Sequence, residues 1–127
     1  MVKQTNVTIK GKTYLVSFPS VGQLMEIESF KLVMSRNKYI QLSMSDMKNH
    51  TMILDIVDCV SYLSILIPDL KNDLAVKNWN DLDPFLAKEL VHCYKKEFLP
   101  WFYPLLKDLY NYKMEEEDAE DEEQSER

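Results

Sequence analysis

Apolar and polar residues alternate along residues 5–18, TNVTIKGKTYLVSF, and a period of two predicts a β-hairpin. Val7 and Ile9 alternate with Thr8 and Lys10, and Tyr14, Val16 and Phe18 alternate with Thr13, Leu15 and Ser17. With Lys10-Gly11 as a two-residue turn, Ile9 faces Lys12, Val7 faces Tyr14 and Thr5 faces Val16. That register collects Val7, Ile9, Tyr14, Val16 and Phe18 on one face. An isolated hairpin is marginal in water, so the face must lie on other apolar surface.

The period then becomes helical. Ser20 can cap a helix, and Gln23 three residues later completes a capping box. Leu24, Ile27, Phe30 and Met34 form the stripe, with Glu28 and Lys31 at pairing distance on the other side. Ser35-Arg36-Asn37 is the expected stop, with Asn37 suited to a left-handed backbone. Residues 38–42 alternate without committing to helix or strand. A second helix is expected from Ser43 or Ser45 to about Ile67, where Pro68-Asp69 ends it. Its main stripe is Met52, Ile56, Val60, Leu63 and Ile67, with Ile53, Val57 and Leu66 beside it. A helix apolar around most of its circumference belongs at the centre of a bundle.

Residues 69–83 read as a polar connection punctuated by Leu70, Leu74, Val76 and Trp79. Asp83-Pro84 starts a third helix, an oxygen cap followed by proline at the first helical position. Leu86, Leu90, Tyr94 and Phe98 are its stripe; Pro100 and Pro104 predict a break, with helices near 84–98 and 101–112. The expected fold class is α+β, mainly α: an N-terminal β-hairpin packed on a bundle of about four helices. Residues 1–112 form a single compact domain, and 113–127 a disordered acidic C-terminal tail.

Charge is what sets the tail apart. Nine of the 21 acidic residues but one of the 15 basic ones lie in 115–127, EEEDAEDEEQSER, so residues 1–114 carry 14 basic against 12 acidic groups. The formal charge of −6 therefore belongs to the tail. Like charges this dense repel, and little apolar surface offsets the entropy of ordering them.

Composition narrows the function classes. The chain has two glycines, against an average usage of about 7%. It contains neither a G-x-x-x-x-G-K-[ST] nor a G-x-G-x-x-G phosphate loop. Cys59 and Cys93 lie in apolar helical surroundings and read as reduced thiols. The start, MVKQTNVTIKGK, lacks the apolar core of a signal peptide. Asp55, Asp58, Ser61 and Ser64 interrupt the apolar run Ile53 to Ile67, and a bilayer span needs about 20 apolar residues. A soluble intracellular protein that does not bind membranes is the expectation.

Thr8-Ile9-Lys10-Gly11-Lys12-Thr13-Tyr14 is a hairpin of the form T-I-x-G-K-x-Y, and it runs into an amphipathic helix with the acidic pair Ile27-Glu28. With a helical remainder and a charged end, this layout resembles the tail assembly chaperones and related small virion-assembly proteins of bacteriophages. The likeness is best over residues 5–35; beyond them it rests on length and helicity. It implies a non-enzymatic protein that binds other phage structural proteins during assembly. No family residue carries catalysis.

Candidate chemistry is sparse. His50 and His92 lack ligand partners, and the adjacent His92-Cys93 pair points about 100° apart on a helix, so no metal site is expected. Asp55 and Asp58 lie one turn apart; a carboxylate pair can do acid–base work if burial splits its pKa values. The favoured reading is a solvent stripe, with pairing to a neighbouring basic side chain as the alternative. Met25, Met34, Met44, Met47 and Met52 cluster around the first two helices, where methionines fill irregular cores more often than they build adaptable surfaces.

Trp101, Phe102 and Tyr103 are consecutive, so one helix cannot bury all three on a single face. Large exposed apolar patches are uncommon, which favours core packing. Tryptophan and tyrosine are also enriched at the energetic centres of interfaces, so the three stand as candidate partner-binding residues. Lys95, Lys96 and Lys107 flank them, but a near-neutral body beside an acidic tail argues against direct nucleic-acid binding. Glu115, Glu116, Glu117 and Asp118 are the tail's candidate partner-binding residues; the tail also serves solubility.

These features lead to a non-enzymatic phage structural or assembly protein that binds tail, neck or capsid components. No catalytic, cofactor or metal residues are expected, and self-association is open. Its place would be the host cytoplasm during assembly, with retention in the virion open. The alternative is an acidic regulatory module whose tail binds a basic protein surface or mimics nucleic acid. An enzyme would need a deep pocket around Asp55 and Asp58.

Overall fold

The computed structural model describes residues 3–111. Strands β1 (Gln4–Ile9) and β2 (Lys12–Ser17) form an antiparallel hairpin in the expected register, with Thr5 opposite Val16, Val7 opposite Tyr14 and Ile9 opposite Lys12. Lys10 (φ 49°) and Gly11 (φ 79°) both take the left-handed backbone that a two-residue turn needs to match strand twist. Val7, Ile9 and Val16 are buried, and Tyr14 and Phe18 pack at the margin of the core.

Helix α1 (Val21–Met34) begins with the full capping box: Ser20 Oγ accepts from the Gln23 amide (3.2 Å), and Gln23 Oε1 accepts from the Ser20 amide (2.9 Å). It ends at Ser35, where Arg36 (φ 55°) and Asn37 (φ 62°) are both left-handed. The Asn37 and Arg36 amides donate back to the Leu32 and Val33 carbonyls, closing the helix as a Schellman motif. Residues 38–42, undecided in sequence, contribute to the short helix α2 (Tyr39–Ser43).

Helix α3 (Lys48–Leu66) is the central element, but it starts later than expected and is buried only from Val57 onward. Its expected stripe needs correction: Val60 and Leu63 are core, whereas Met52 and Ile53 are exposed. The connection after α3 is also less polar in role than in composition. It holds helix α4 (Leu70–Asp73) and a 3-10 turn (Trp79–Asp81), and it drives Leu70 and Trp79 into the core.

Asp83 then caps α5 (Pro84–Cys93), its Oδ2 accepting from the Phe85 (3.1 Å) and Leu86 (3.0 Å) amides. The break expected at Pro100 and Pro104 does not occur. A π-helical turn (Tyr94–Phe98) joins α5 directly to a last helix, α6 (residues 99–111). In the wide turn the Leu99 amide donates to the Tyr94 carbonyl, five residues back. The altered geometry makes room for the Pro100 ring, and both prolines are exposed.

That turn also serves the core. Leu90, Tyr94, Phe98 and Phe102 recur every fourth residue, and a straight helix of 3.6 residues per turn would rotate such a series away from the core. The wider turn takes up part of the drift, and all four are buried. Their rings stack in sequence, with centroids 5.3 Å apart for Tyr94–Phe98 and 4.9 Å for Phe98–Phe102. Tyr62 of α3 and Phe18 after β2 close on Phe102 at 5.0 and 5.3 Å. This aromatic cluster is what the hairpin's apolar face lies on. Polar ties fix its edges: the Thr8 amide donates to Glu97 Oε2 (3.0 Å), and Lys12 and Tyr14 both donate to Asp73 Oδ2 (2.7 Å each).

Candidate interaction surface

The three consecutive aromatic residues have three different fates. Phe102 is core. Trp101 is half-buried, its ring 6.2 Å from Phe18 and 5.9 Å from Phe98, so it supports the fold. Tyr103 is 59% exposed. Neither expectation for the segment holds for all three residues, because adjacent helical positions point about 100° apart.

Tyr103 does not stand alone. With Leu106, Lys107, Leu109 and Tyr110 of α6 and Leu24 of α1 it lines a shallow groove of about 460 Å³. Tyr110 and Leu109 are mainly exposed, as are Val21 and Met25 of α1. The sequence signal for this face was available: Tyr103, Lys107 and Tyr110 share one side of a helix at spacings of four and three. The predicted break at Pro104 hid it. Glu115, Glu116, Glu117 and Asp118 lie outside the described residues, as does the expectation of a disordered tail.

Asp55 and Asp58 do not form a solvent stripe, and that reading is corrected. Asp58 accepts a 2.6 Å hydrogen bond from the Tyr39 hydroxyl and lies 3.9 Å from Lys31 Nζ, while Asp55 accepts from Lys95 Nζ at 2.8 Å. Each carboxylate is tied to a different element, so they do not act as one pair.

Lys31 is the residue the sequence reading misplaced most. It pairs with Glu28 as expected (2.9 Å), but it is 7% exposed and points inward. Its ammonium donates to Tyr62 Oη (3.4 Å) and lies 4.8 and 5.3 Å from the Tyr62 and Tyr39 ring centres. Two carboxylates and two ring faces thus enclose one cation at the junction of α1, α2 and α3. Burial alone would lower the pKa of Lys31; the hydrogen bond to Glu28 and the surrounding phenols outweigh it and hold the value above the lysine range. Burial raises Asp58, against the pull of Tyr39 and Lys31, and burial with the Asp58 hydrogen bond raises Tyr39. The cluster is a clamp between helices whose members are already partnered.

The methionines also depart from expectation. Met34 packs against the core, but Met25, Met44, Met47 and Met52 are exposed, Met44 at 82%. Met52, Ile56, Phe85 and Val91 line a second groove between α3 and α5, of about 530 Å³. His50 is held by Ser45 (Nδ1–Oγ 2.8 Å), and His92 is exposed. Cys59 and Cys93 are free thiols; burial raises the pKa of both, and Cys59 is fully buried. Among the described residues no three His, Cys, Asp or Glu side chains gather to hold a metal ion, and no helix is long and apolar enough to cross a membrane. In comparison with known proteins, the chain matches no family model, no curated protein and no solved structure.

Proposed function

We propose that this chain is a non-enzymatic docking protein of bacteriophage assembly, binding a tail, neck or capsid component through its α1/α6 face in the host cytoplasm. The phage setting rests on the resemblance of residues 5–35. The docking role rests on one observation: the exposed aromatic groove around Tyr103 and Tyr110 lies on the helix that leads into the acidic run at Glu115. Aromatic side chains in a groove provide anchors, and neighbouring acidic residues select by charge. The occupant this combination fits is a partner segment with apolar anchors set among lysines or arginines.

The test is co-expression with each tail, neck and capsid protein of the same phage, followed by affinity measurement. Tyr103→Ala and Tyr110→Ala are expected to weaken binding about tenfold or more while leaving stability within about 0.5 kcal/mol. Binding that survives both substitutions, or no partner in the panel, discards the proposal. The alternative, an acidic module that binds through its tail alone, is favoured by the nine acidic residues of 115–127. Under it, both tyrosine variants bind as the wild type does and deletion of 115–127 abolishes binding.

A further inference from the structure

The hairpin has two edges, and they are treated differently. The β1 edge is covered by α5 and the π turn, and the Thr8 amide on that edge is satisfied by Glu97. The β2 edge is open. Because Ile9, Val7 and Thr5 exchange hydrogen bonds with Lys12, Tyr14 and Val16 across the hairpin, the amides and carbonyls of Thr13, Leu15 and Ser17 point the other way. Among the described residues no backbone group takes them up, and all three residues are exposed.

Free edges are ordinarily blunted by a lysine, a proline or a bulge. This one carries none at its outward-pointing positions. It places Leu15 at the centre of the strand, on the solvent face and 64% exposed. We propose that β2 pairs antiparallel with β2 of a second copy, about a two-fold axis through Leu15, joining two hairpins into one four-stranded sheet.

The sequence of the strand is self-complementary in that register. Leu15 meets Leu15 of the partner subunit, an apolar pair on the outer face. Thr13 meets the partner's Ser17, two hydroxyls. Tyr14 comes opposite the partner's Val16 on the inner face, where Val16 is already covered by its own chain, so this pair adds no new apolar contact and opposes no charge. Lys12 meets the partner's Phe18, so no like charges oppose, and Lys12 is already neutralised by its own Asp73. Each pair centred on Thr13, Leu15 or Ser17 exchanges two backbone hydrogen bonds. Thr13 and Leu15 do not line the α1/α6 groove, and Ser17 alone approaches it through a depression shared with Leu109, so the dimer is measured without the proposed partner.

The full-length chain is measured by sedimentation over about 1 to 100 µM, a range that captures weak and moderate association. Wild type is expected to dimerise. Leu15→Lys and Leu15→Glu, both at an exposed position, are expected to keep the wild-type circular dichroism and to dimerise at least about tenfold more weakly, since each places like charges opposite one another. An equimolar mixture of the two variants is expected to recover the dimer, because Lys and Glu then face across the axis. A wild type that stays monomeric over the range overturns the proposal. So do single variants that dimerise as wild type does, and so does a mixture that fails to recover association.

Discussion

Lys31 shows how one residue departs from its local pattern. On a helical wheel it falls on the apolar stripe, seven residues after Leu24 and four after Ile27, so its inward side is legible from spacing even though its charge suggests a surface i,i+3 pair with Glu28. In the fold, Tyr39 and Tyr62, 8 and 31 positions away in sequence, arrive from α2 and α3 and set their rings beside its ammonium. This has a consequence for pH. Lys31 has an ordinary value of 10.5, and Tyr14, Tyr39, Tyr62 and Tyr94 share an ordinary value of 10.0; the fold raises all five, Tyr14 to about 12. A raised value means the folded state holds its proton more tightly than the unfolded chain. The stabilisation is therefore complete below about pH 10 and is lost as pH climbs through the folded values. Ellipticity and tyrosinate absorbance followed from pH 8 to 12 are expected to change together above about pH 10. Ionisation of all the tyrosines with no loss of helix would contradict this.

Elements were legible where their signals are local. The hairpin register, the Ser20–Gln23 capping box and the Asp83-Pro84 start follow from neighbours a few residues apart, and each was read correctly. The Lys10-Gly11 turn also carries a testable strain. Lysine at φ 49° occupies a region that asparagine tolerates better. Lys10→Asn is expected to raise stability by about 0.5 kcal/mol in denaturant titration, and a loss of stability would mean the Lys10 side chain contributes more than its backbone costs. The helix after Asp83 was illegible for the opposite reason. Proline argues for a break, but the π turn, with its five-residue hydrogen bond from Leu99 to Tyr94, carries the chain into Pro100, and α6 runs on through Pro104. Nothing in YKKEFLP marks that turn by residue type; the need to keep Tyr94, Phe98 and Phe102 on one buried face does.

At the scale of the molecule, two exposed apolar features face different ways of associating. The β2 edge suits an identical strand, and the α1/α6 groove suits an apolar segment among positive charges. In the proposed complex the acidic run would make the second contact dependent on salt. Partner binding is expected to weaken as ionic strength rises from about 0.05 to 0.5 M, and deletion of 115–127 is expected to flatten that dependence while retaining the Tyr103 contribution. A salt dependence unchanged by the deletion would remove the acidic run from the interface. The proposed dimer, resting on backbone hydrogen bonds and Leu15, is expected to respond weakly to the same salt.

Sequence alone determined the fold class, the hairpin pairing, the caps of α1 and α5 and the concentration of negative charge at the end of the chain. These depend on period, turn chemistry and composition, all of which act over short stretches. Tertiary structure decided which apolar residues are core and which are surface. Trp101, Phe102 and Tyr103 are equally aromatic in sequence, and Met34 and Met44 equally flexible. Their fates differ because burial is a property of what the rest of the chain brings against each side chain, and that depends on packing between elements distant in sequence.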